Sequence, residues 1–223
     1  MDAREHGMTV LLAACLAASL SLTTQAALAS GDDHDGRGVR GVAQLSAAWF
    51  RWQETNFGTA NFDFGEGLVD CHVGQRGDVW FLGGSDGSQP VARECIRRIP
   101  KGKRLFFPLI NLAFYNEPGE DLSVRDKRQL LAGLLDDLEP GVLNTESCRL
   151  FATVDGRPVI FSRTAIQRVQ STRFKYGEDR KAVADGFWVL LPKLPRGEHT
   201  IAFGGSLCEF ETGESIGFDV DVT

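Results

Sequence analysis

The run CHVGQRGDVWFLGGSDGSQPVARECIRRIPKGKRLFFPLIN, residues 71–111, decides the fold class. Three strand-like segments lie in it, at 78–82, 91–96 and 104–111. Two turn clusters separate them, at 83–90 and 100–103. Short apolar runs broken by Gly and Pro read as a meander of β-strands. The run holds two cysteines and reads as the centre of a β-rich domain, not as an active site.

Strand signal returns further along. Residues 149–154 and 157–161 flank Asp155-Gly156, and Asp-Gly between two apolar runs predicts a type I′ hairpin. Residues 166–174 and 187–191 predict two more strands, and 198–203 and 216–221 alternate cleanly. Two stretches have the helical period instead. In 42–55, Leu45, Ala48, Trp49 and Trp52 recur at that spacing. In 123–139, Leu131, Leu134, Leu135 and Leu138 form the apolar stripe, while Arg125, Lys127, Arg128, Asp136 and Asp137 take the wet side. Ser123 with Asp126 approximates a capping box, and Pro140-Gly141 ends the helix. Residues 56–69 read as a loop anchored by Phe57, Phe62 and Phe64. The expected fold is mainly β: an antiparallel β-sandwich, immunoglobulin-like or jelly-roll-like, with two helical insertions. One domain over residues 42–223 is expected.

The chain has 223 residues, 43% hydrophobic and 24% charged, which suffices to bury a core. A formal net charge of −6 gives no basic footprint for nucleic acid or anionic membrane. Residues 9–22 are apolar or small, and Ala27 and Ala29 supply the A-x-A pattern of a signal-peptidase site. Residues 1–29 are therefore expected to be a signal peptide, cleaved before Ser30. Asp2 and Glu5 offset Arg4, so the leading segment is not clearly basic. An uncleaved anchor is a weaker fit, because the apolar run is short for a full span. Leu12-Ala13-Ala14-Cys15 also fits a lipobox, with Cys15 acylated, although the apolar run continues past it. No later stretch is long and apolar enough to span a bilayer, so the expected location is secreted or periplasmic. Residues 30–41, SGDDHDGRGVRG, read as a disordered leader.

Cys71, Cys95, Cys148 and Cys208 remain after cleavage, and an even number in an exported chain reads as two disulfides. Three connectivities are possible. Cys71 with Cys95 and Cys148 with Cys208 is favoured, because each pair lies in one half of the chain. Closing one such loop stabilises by about 3 kcal/mol in the chain-entropy model. No C-x-x-C spacing supports zinc, and His72 is alone beside Cys71.

Two groups of motifs carry a resemblance. One is Val79-Trp80-Phe81-Leu82-Gly83 with Cys95, Pro100-Lys101-Gly102-Lys103 and Phe106-Phe107-Pro108-Leu109-Ile110-Asn111. The other is Asp185-Gly186-Phe187-Trp188-Val189 with Leu194-Pro195-Arg196-Gly197-Glu198-His199-Thr200-Ile201. Together they resemble a family of uncharacterised exported bacterial proteins. That resemblance implies export and a β fold, and it carries no catalytic residue across. The final Pro-Gly turn into an alternating strand also resembles the closing strands of immunoglobulin-like sandwiches.

Four groups of residues bear on function. Gly83-Gly84-Ser85-Asp86-Gly87 matches G-x-S-x-G after a strand, but Ser88-Gln89-Pro90 follows where a nucleophile elbow needs a helix. His199 is the histidine that would serve Ser85 as base. Glu117, Glu120, Asp121, Asp63 and Glu66 are loop carboxylates that a glycosidase would need in a facing pair. With Asn111 and Asn116 they also offer oxygen ligands for calcium, without D-x-D-x-D-G spacing. Trp49 and Trp52 read either as core or as an aromatic ligand platform. Arg97, Arg98, Lys101, Lys103 and Arg104 form a positive run that either steers an anionic envelope partner or guards a strand edge. Trp49, Trp52, Asn111, Asn116 and Glu117 are thus the candidate ligand surface. No cofactor is expected. The reading is an exported, disulfide-stapled protein with a binding or structural role toward a ligand or envelope partner. The alternative is a secreted hydrolase of polysaccharide or ester.

Overall fold

Residues 180–190, RKAVADGFWVL, form the strand that the other elements cover, and Ala182 through Val189 are all buried. The computed structural model describes residues 37–56, 66–85, 91–135, 144–145, 148–159, 165–177, 180–205 and 216–222. Its elements in chain order are α1 (Arg37–Asn56), β1 (Gly67–Val69), β2 (Val79–Phe81), β3 (Val91–Cys95), β4 (Arg104–Tyr115), α2 (Val124–Leu135), β5 (Asn144–Thr145), β6 (Cys148–Val154), β7 (Arg157–Pro158), β8 (Ile166–Arg168), β9 (Phe174–Tyr176), β10 (Arg180–Leu190), β11 (Gly197–Gly205) and β12 (Ile216–Val222).

The fold is mainly β with two helices. One sheet has the order β1-β3-β12-β11-β6-β5, with β7 also on β6. The other has the order β2-β4-β10-β8, with β9 also on β10. The expected antiparallel pairing holds for β10 with β4, β8 and β9, for β11 with β12 and β6, and for β6 with β5 and β7, whereas β1 on β3, β3 on β12 and β2 on β4 run parallel. The chain leaves β2 and β3 through connections that return in the same sense, which no local turn signal reveals.

The two sheets share one apolar cluster. Leu105, Phe107 and Leu109 of β4 and Phe187 and Val189 of β10 meet Leu150, Ala152 and Val154 of β6 and Ile201 and Phe203 of β11. The Phe107 and Phe203 rings lie 4.2 Å apart at its centre. A second cluster lies on the opposite face of β10 and β4. There Val42, Ala47, Trp49, Phe50 and Trp52 of α1 cover Phe106, Phe174, Ala182, Ala184 and Trp188. Trp188 stacks on Phe106 with centroids 5.0 Å apart, and Trp49 meets Trp188 edge-on at 5.5 Å. Successive strand residues point to opposite faces, so β10 feeds both clusters by turns.

Strand β4 carries a bulge. Phe187 pairs with Ile110 but Trp188 pairs with Pro108, leaving Leu109 as the extra residue. The slip explains why Leu109 and Ile110, adjacent in sequence, both enter the cluster between the sheets. A proline is tolerated at such a break, where the ladder is already interrupted. Next to it the backbones approach closely. A Cβ at Gly186 would lie 2.6 Å from the Ile110 carbonyl oxygen.

Both helices differ from the sequence expectation. Helix α1 starts at Arg37, inside the stretch expected as a disordered leader. In α2 the buried stripe is Lys127, Leu131 and Leu135, while Leu134 is exposed. The helix is rotated so that residues four apart cover β10. Lys127, expected on the wet side, is 2% exposed and its Nζ donates to the Lys181 carbonyl oxygen at 2.9 Å. Its aliphatic stem fills an apolar position and its charge ends on a backbone acceptor. The capping box forms as expected: the Asp126 amide donates to Ser123 Oγ and the Ser123 amide to Asp126 Oδ2, both at 3.2 Å. Phe57, Phe62, Phe64, Leu138 and the 136–139 end of the expected helix lie outside the described residues.

Cys71 and Cys95 are joined, with Cα atoms 5.4 Å apart. The bridge ties the segment after β1 to the end of β3. The Cys148 with Cys208 pairing lies outside the described residues. The Asp155-Gly156 turn has φ of 52° and 72°, the left-handed pair that a type I′ hairpin requires.

Gly186→Ala is expected to lower unfolding free energy by about 2–4 kcal/mol, because backbone atoms must move apart. Gly133→Ala on α2, where a Cβ meets nothing within 4 Å, is expected to be neutral or to stabilise by up to about 1 kcal/mol. Denaturant titration of the two variants checks the contrast.

Candidate functional site

Helix α2 and the segment joining β8 to β9 enclose an open groove of about 700 Å³. Val124, Arg125, Arg128, Gln129 and Ala132 line it from the helix, and Gln170, Thr172 and Arg173 from the segment. Three arginines therefore meet on a chain whose net charge is −6. Among the described residues, no carboxylate lines the groove.

A polar network fixes the groove wall. Asp185, on the half of β10 beneath α2, is 1% exposed. Its Oδ2 lies 3.3 Å from Arg168 Nη2 and 3.3 Å from Gln170 Nε2, and its Oδ1 accepts the Gly186 amide at 2.8 Å. Arg168 also donates to the Ala132 carbonyl oxygen at 3.1 Å, and Gln170 to that of Arg128 at 3.3 Å. Arg128 Nη2 donates to the Ser171 carbonyl oxygen at 3.0 Å. The helix and the facing segment are thus cross-linked through one buried carboxylate. Arg128 Nε is shielded from solvent and has no acceptor among the described residues.

Sequence reasoning pointed elsewhere. Trp49 and Trp52 do not form a ligand platform. They are 1% and 6% exposed, and their indole N–H groups donate to the carbonyl oxygens of Leu82 and Val73 at 2.8 and 2.9 Å. Asn111 sits within β4 opposite Gly186. Asn116 and Glu117 follow the end of that strand, so Asn111 and Asn116 are separated by roughly 16 Å of extended chain. Asn116 Nδ2 donates to the Leu122 carbonyl oxygen at 3.2 Å, and Glu117 pairs with Arg180 at 3.3 Å. Arg180 also lies 3.9 Å over the Tyr115 ring, which stacks on Tyr176 at 5.3 Å. Burial, with Glu54 and Tyr115 nearby, pushes the Tyr176 hydroxyl pKa up. Asp63 lies outside the described residues. Among the described residues, no three His, Cys, Asp or Glu side chains converge as metal ligands.

His199 is already engaged on both sides of its ring. Nδ1 is 2.9 Å from Asp155 Oδ2, and Nε2 is 3.0 Å from the Pro195 carbonyl oxygen. Neither ring nitrogen is left for Ser85. The segment before Ser85 is held by the buried Arg93, whose Nη1 donates to the Gly84 carbonyl oxygen at 2.9 Å. Burial lowers the pKa of that guanidinium from its ordinary value. The next element after Ser85 is a strand, β3, and the residues 86–90 between them lie outside the described residues. In the positive run at 97–104, Asp70 offsets the charge of Arg97 at 2.5 Å, and Lys103 donates to the Gly77 carbonyl oxygen.

The groove's basic residues were visible in the sequence only as the outer face of a helix and a strand end. Arg173 lies 48 positions after Arg125. What was missing is the packing of α2 across the β8 to β9 segment.

Fold and groove together define a two-sheet, disulfide-bonded β protein with a cationic cleft under its second helix. Comparison of the chain with protein-family models, curated proteins and solved structures finds no match.

The Asp155 to His199 contact yields a pH prediction. Burial alone would raise the Asp155 pKa, but the bonds from His199 and from the Thr200 amide outweigh it and hold the carboxyl below 3.8. A depressed folded pKa gives stability that is present above the unfolded value and is lost as pH falls through the folded one. Asp155 is 48% exposed, so the contribution is about 1 kcal/mol at most. Asp155→Asn, which tolerates the same positive φ, is expected to lower Tm at pH 7. The gap to the parent should close below pH about 3.8, as read by thermal melts across pH.

Proposed function

We propose that the chain is an exported, disulfide-stapled binding protein of the cell envelope or extracellular space, with the groove under α2 as its ligand surface. The groove carries this reading: three arginines face a cleft whose wall is fixed by buried Asp185. Preorganised donors bind at lower entropic cost than donors on free side chains. The Cys71 with Cys95 bridge is compatible with an oxidising compartment. Among the described residues no helix is long and apolar enough to cross a membrane. The A-x-A pattern before Ser30 and the resemblance to exported bacterial proteins favour release of residues 1–29 over lipidation at Cys15.

The finer reading of the fold is an immunoglobulin-like sandwich. In its support, β4, β10 and β8 neighbour one another as strands B, E and D do in that fold, and β6, β11 and β12 as C, F and G do. In this reading α2 and β5 are inserted between B and C. The second disulfide, Cys148 with Cys208, is supported by the even number of cysteines left after cleavage and by the place of both in the second half of the chain.

Mass spectrometry of the exported protein is expected to show Ser30 as its first residue. An acylated Cys15 at that position refutes the cleavage. Non-reducing peptide mapping is expected to show Cys148 linked to Cys208, and free thiols there refute the second bridge.

A further inference from the structure

We infer that the groove binds an acidic polysaccharide, holding sugar-borne carboxylates with Arg125, Arg128 and Arg173. The inference rests on the reading of this groove as the ligand surface and adds the chemistry of what fills it.

Three observations lead to it. First, the lining pairs positive charge with neutral hydrogen-bonding groups. Gln129, Gln170 and Thr172 sit among the three arginines. Guanidinium forks match carboxylates two bonds at a time, and amides and hydroxyls match the hydroxyls of a sugar ring. The apolar lining residues are Val124 and Ala132, both small, and they offer no deep pocket for a peptide side chain.

Second, Arg128 is set in place before any ligand arrives. Its Nη2 is held by the Ser171 carbonyl oxygen, and its own carbonyl accepts from Gln170, which is anchored on Asp185. The guanidinium so held lines the groove and carries its charge there. Arg125 and Arg173 are exposed at the same cleft and add charge that falls off with salt.

Third, the surroundings disfavour a lipid surface. Exposed leucines on a basic helix are the mark of interfacial binding. Leu130 and Leu134 are the exposed leucines of α2. At about 100° per residue they lie roughly half a turn round the helix from Arg125, Gln129 and Ala132. A membrane that took up the leucines would leave the groove turned away from it.

The test is a binding titration of the exported chain with polygalacturonate, by calorimetry or fluorescence anisotropy. Neutral dextran, poly-glutamate and phosphatidylglycerol vesicles serve as the other arms. Saturable, salt-sensitive binding of polygalacturonate, with at least about tenfold weaker binding to the other three, supports the inference. Arg125→Ala/Arg173→Ala removes two exposed charges and is expected to weaken polygalacturonate binding about tenfold or more with an unchanged Tm. Arg128→Lys, which keeps the charge and loses the fork, is expected to weaken it as well. Equal binding of poly-glutamate overturns the sugar assignment, and preferred binding of the vesicles overturns the choice of a soluble polymer. Dextran binding that is lost in the double variant overturns the carboxylate assignment while leaving the groove as the ligand surface. Polygalacturonate binding that is unchanged in the double variant overturns the groove itself, and absence of binding in every arm overturns the inference.

Discussion

Strand β10 has no solvent face over its central residues, and that one constraint organises the molecule. A strand buried on both sides needs two apolar layers, and the chain supplies one from the second sheet and another from α1. The residue-by-residue alternation is strict enough to assign each side chain to its layer: Phe187 and Val189 inward, Ala182, Ala184 and Trp188 toward α1. Small residues at 182, 184 and 186 leave room for the indole and phenyl rings of the helix, and Gly186 lets β4 come within touching distance. Fully burying a single large apolar side chain stabilises by about 1.5–3 kcal/mol. The two Phe- and Trp-rich layers therefore outweigh a surface ion pair such as Glu117 with Arg180, which is worth at most about 1 kcal/mol.

Asp185 is the exception on that strand, and its position explains why a carboxylate is tolerated there. The second sheet covers the later part of β10, and α2 covers the earlier part. Where the two covers meet, the surface beneath is polar, and Arg168, Gln170 and the Gly186 amide compensate the charge. A buried carboxylate with several donors is costly to disturb, because removal of one partner leaves the others facing an unpaired group. The same set of bonds fixes the angle at which α2 lies against the sheet, and so the width of the cleft.

Much of the fold was legible because its signals are local. Asp155-Gly156 demanded positive φ and got it, Ser123 and Asp126 capped each other, and the alternation at 198–203 and 216–221 gave β11 and β12. Less was legible where a neighbour decides. The first half of β10, Arg180 to Gly186, has no strong strand signal because its residues are small or charged, and it is strand only because β4 and β9 pair with it. On α2, Leu131 and Leu135 are buried as read, but Leu134 is exposed and Lys127 is buried, because Lys127 was assigned by charge rather than by the length of its stem. The parallel pairs were hidden because sequence spacing shows which runs are strands and not which way they meet. The groove was illegible for the same reason: Arg125 and Arg173 belong to separate local patterns until the helix lies across the sheet.

The sulfur bridge between Cys71 and Cys95 also bears on how the first sheet ends. Strand β3 pairs with β12 on one side, and on the other, among the described residues, it meets the three residues of β1. So short a ribbon holds poorly on its own backbone bonds. Fastened next to Val69 by the covalent link, it stays over the rim of β3 and occupies the N–H and C=O groups there. The bond thus does more than restrict the unfolded chain. It keeps a border strand closed against recruitment of a second molecule, which is how exposed sheet margins grow into fibres.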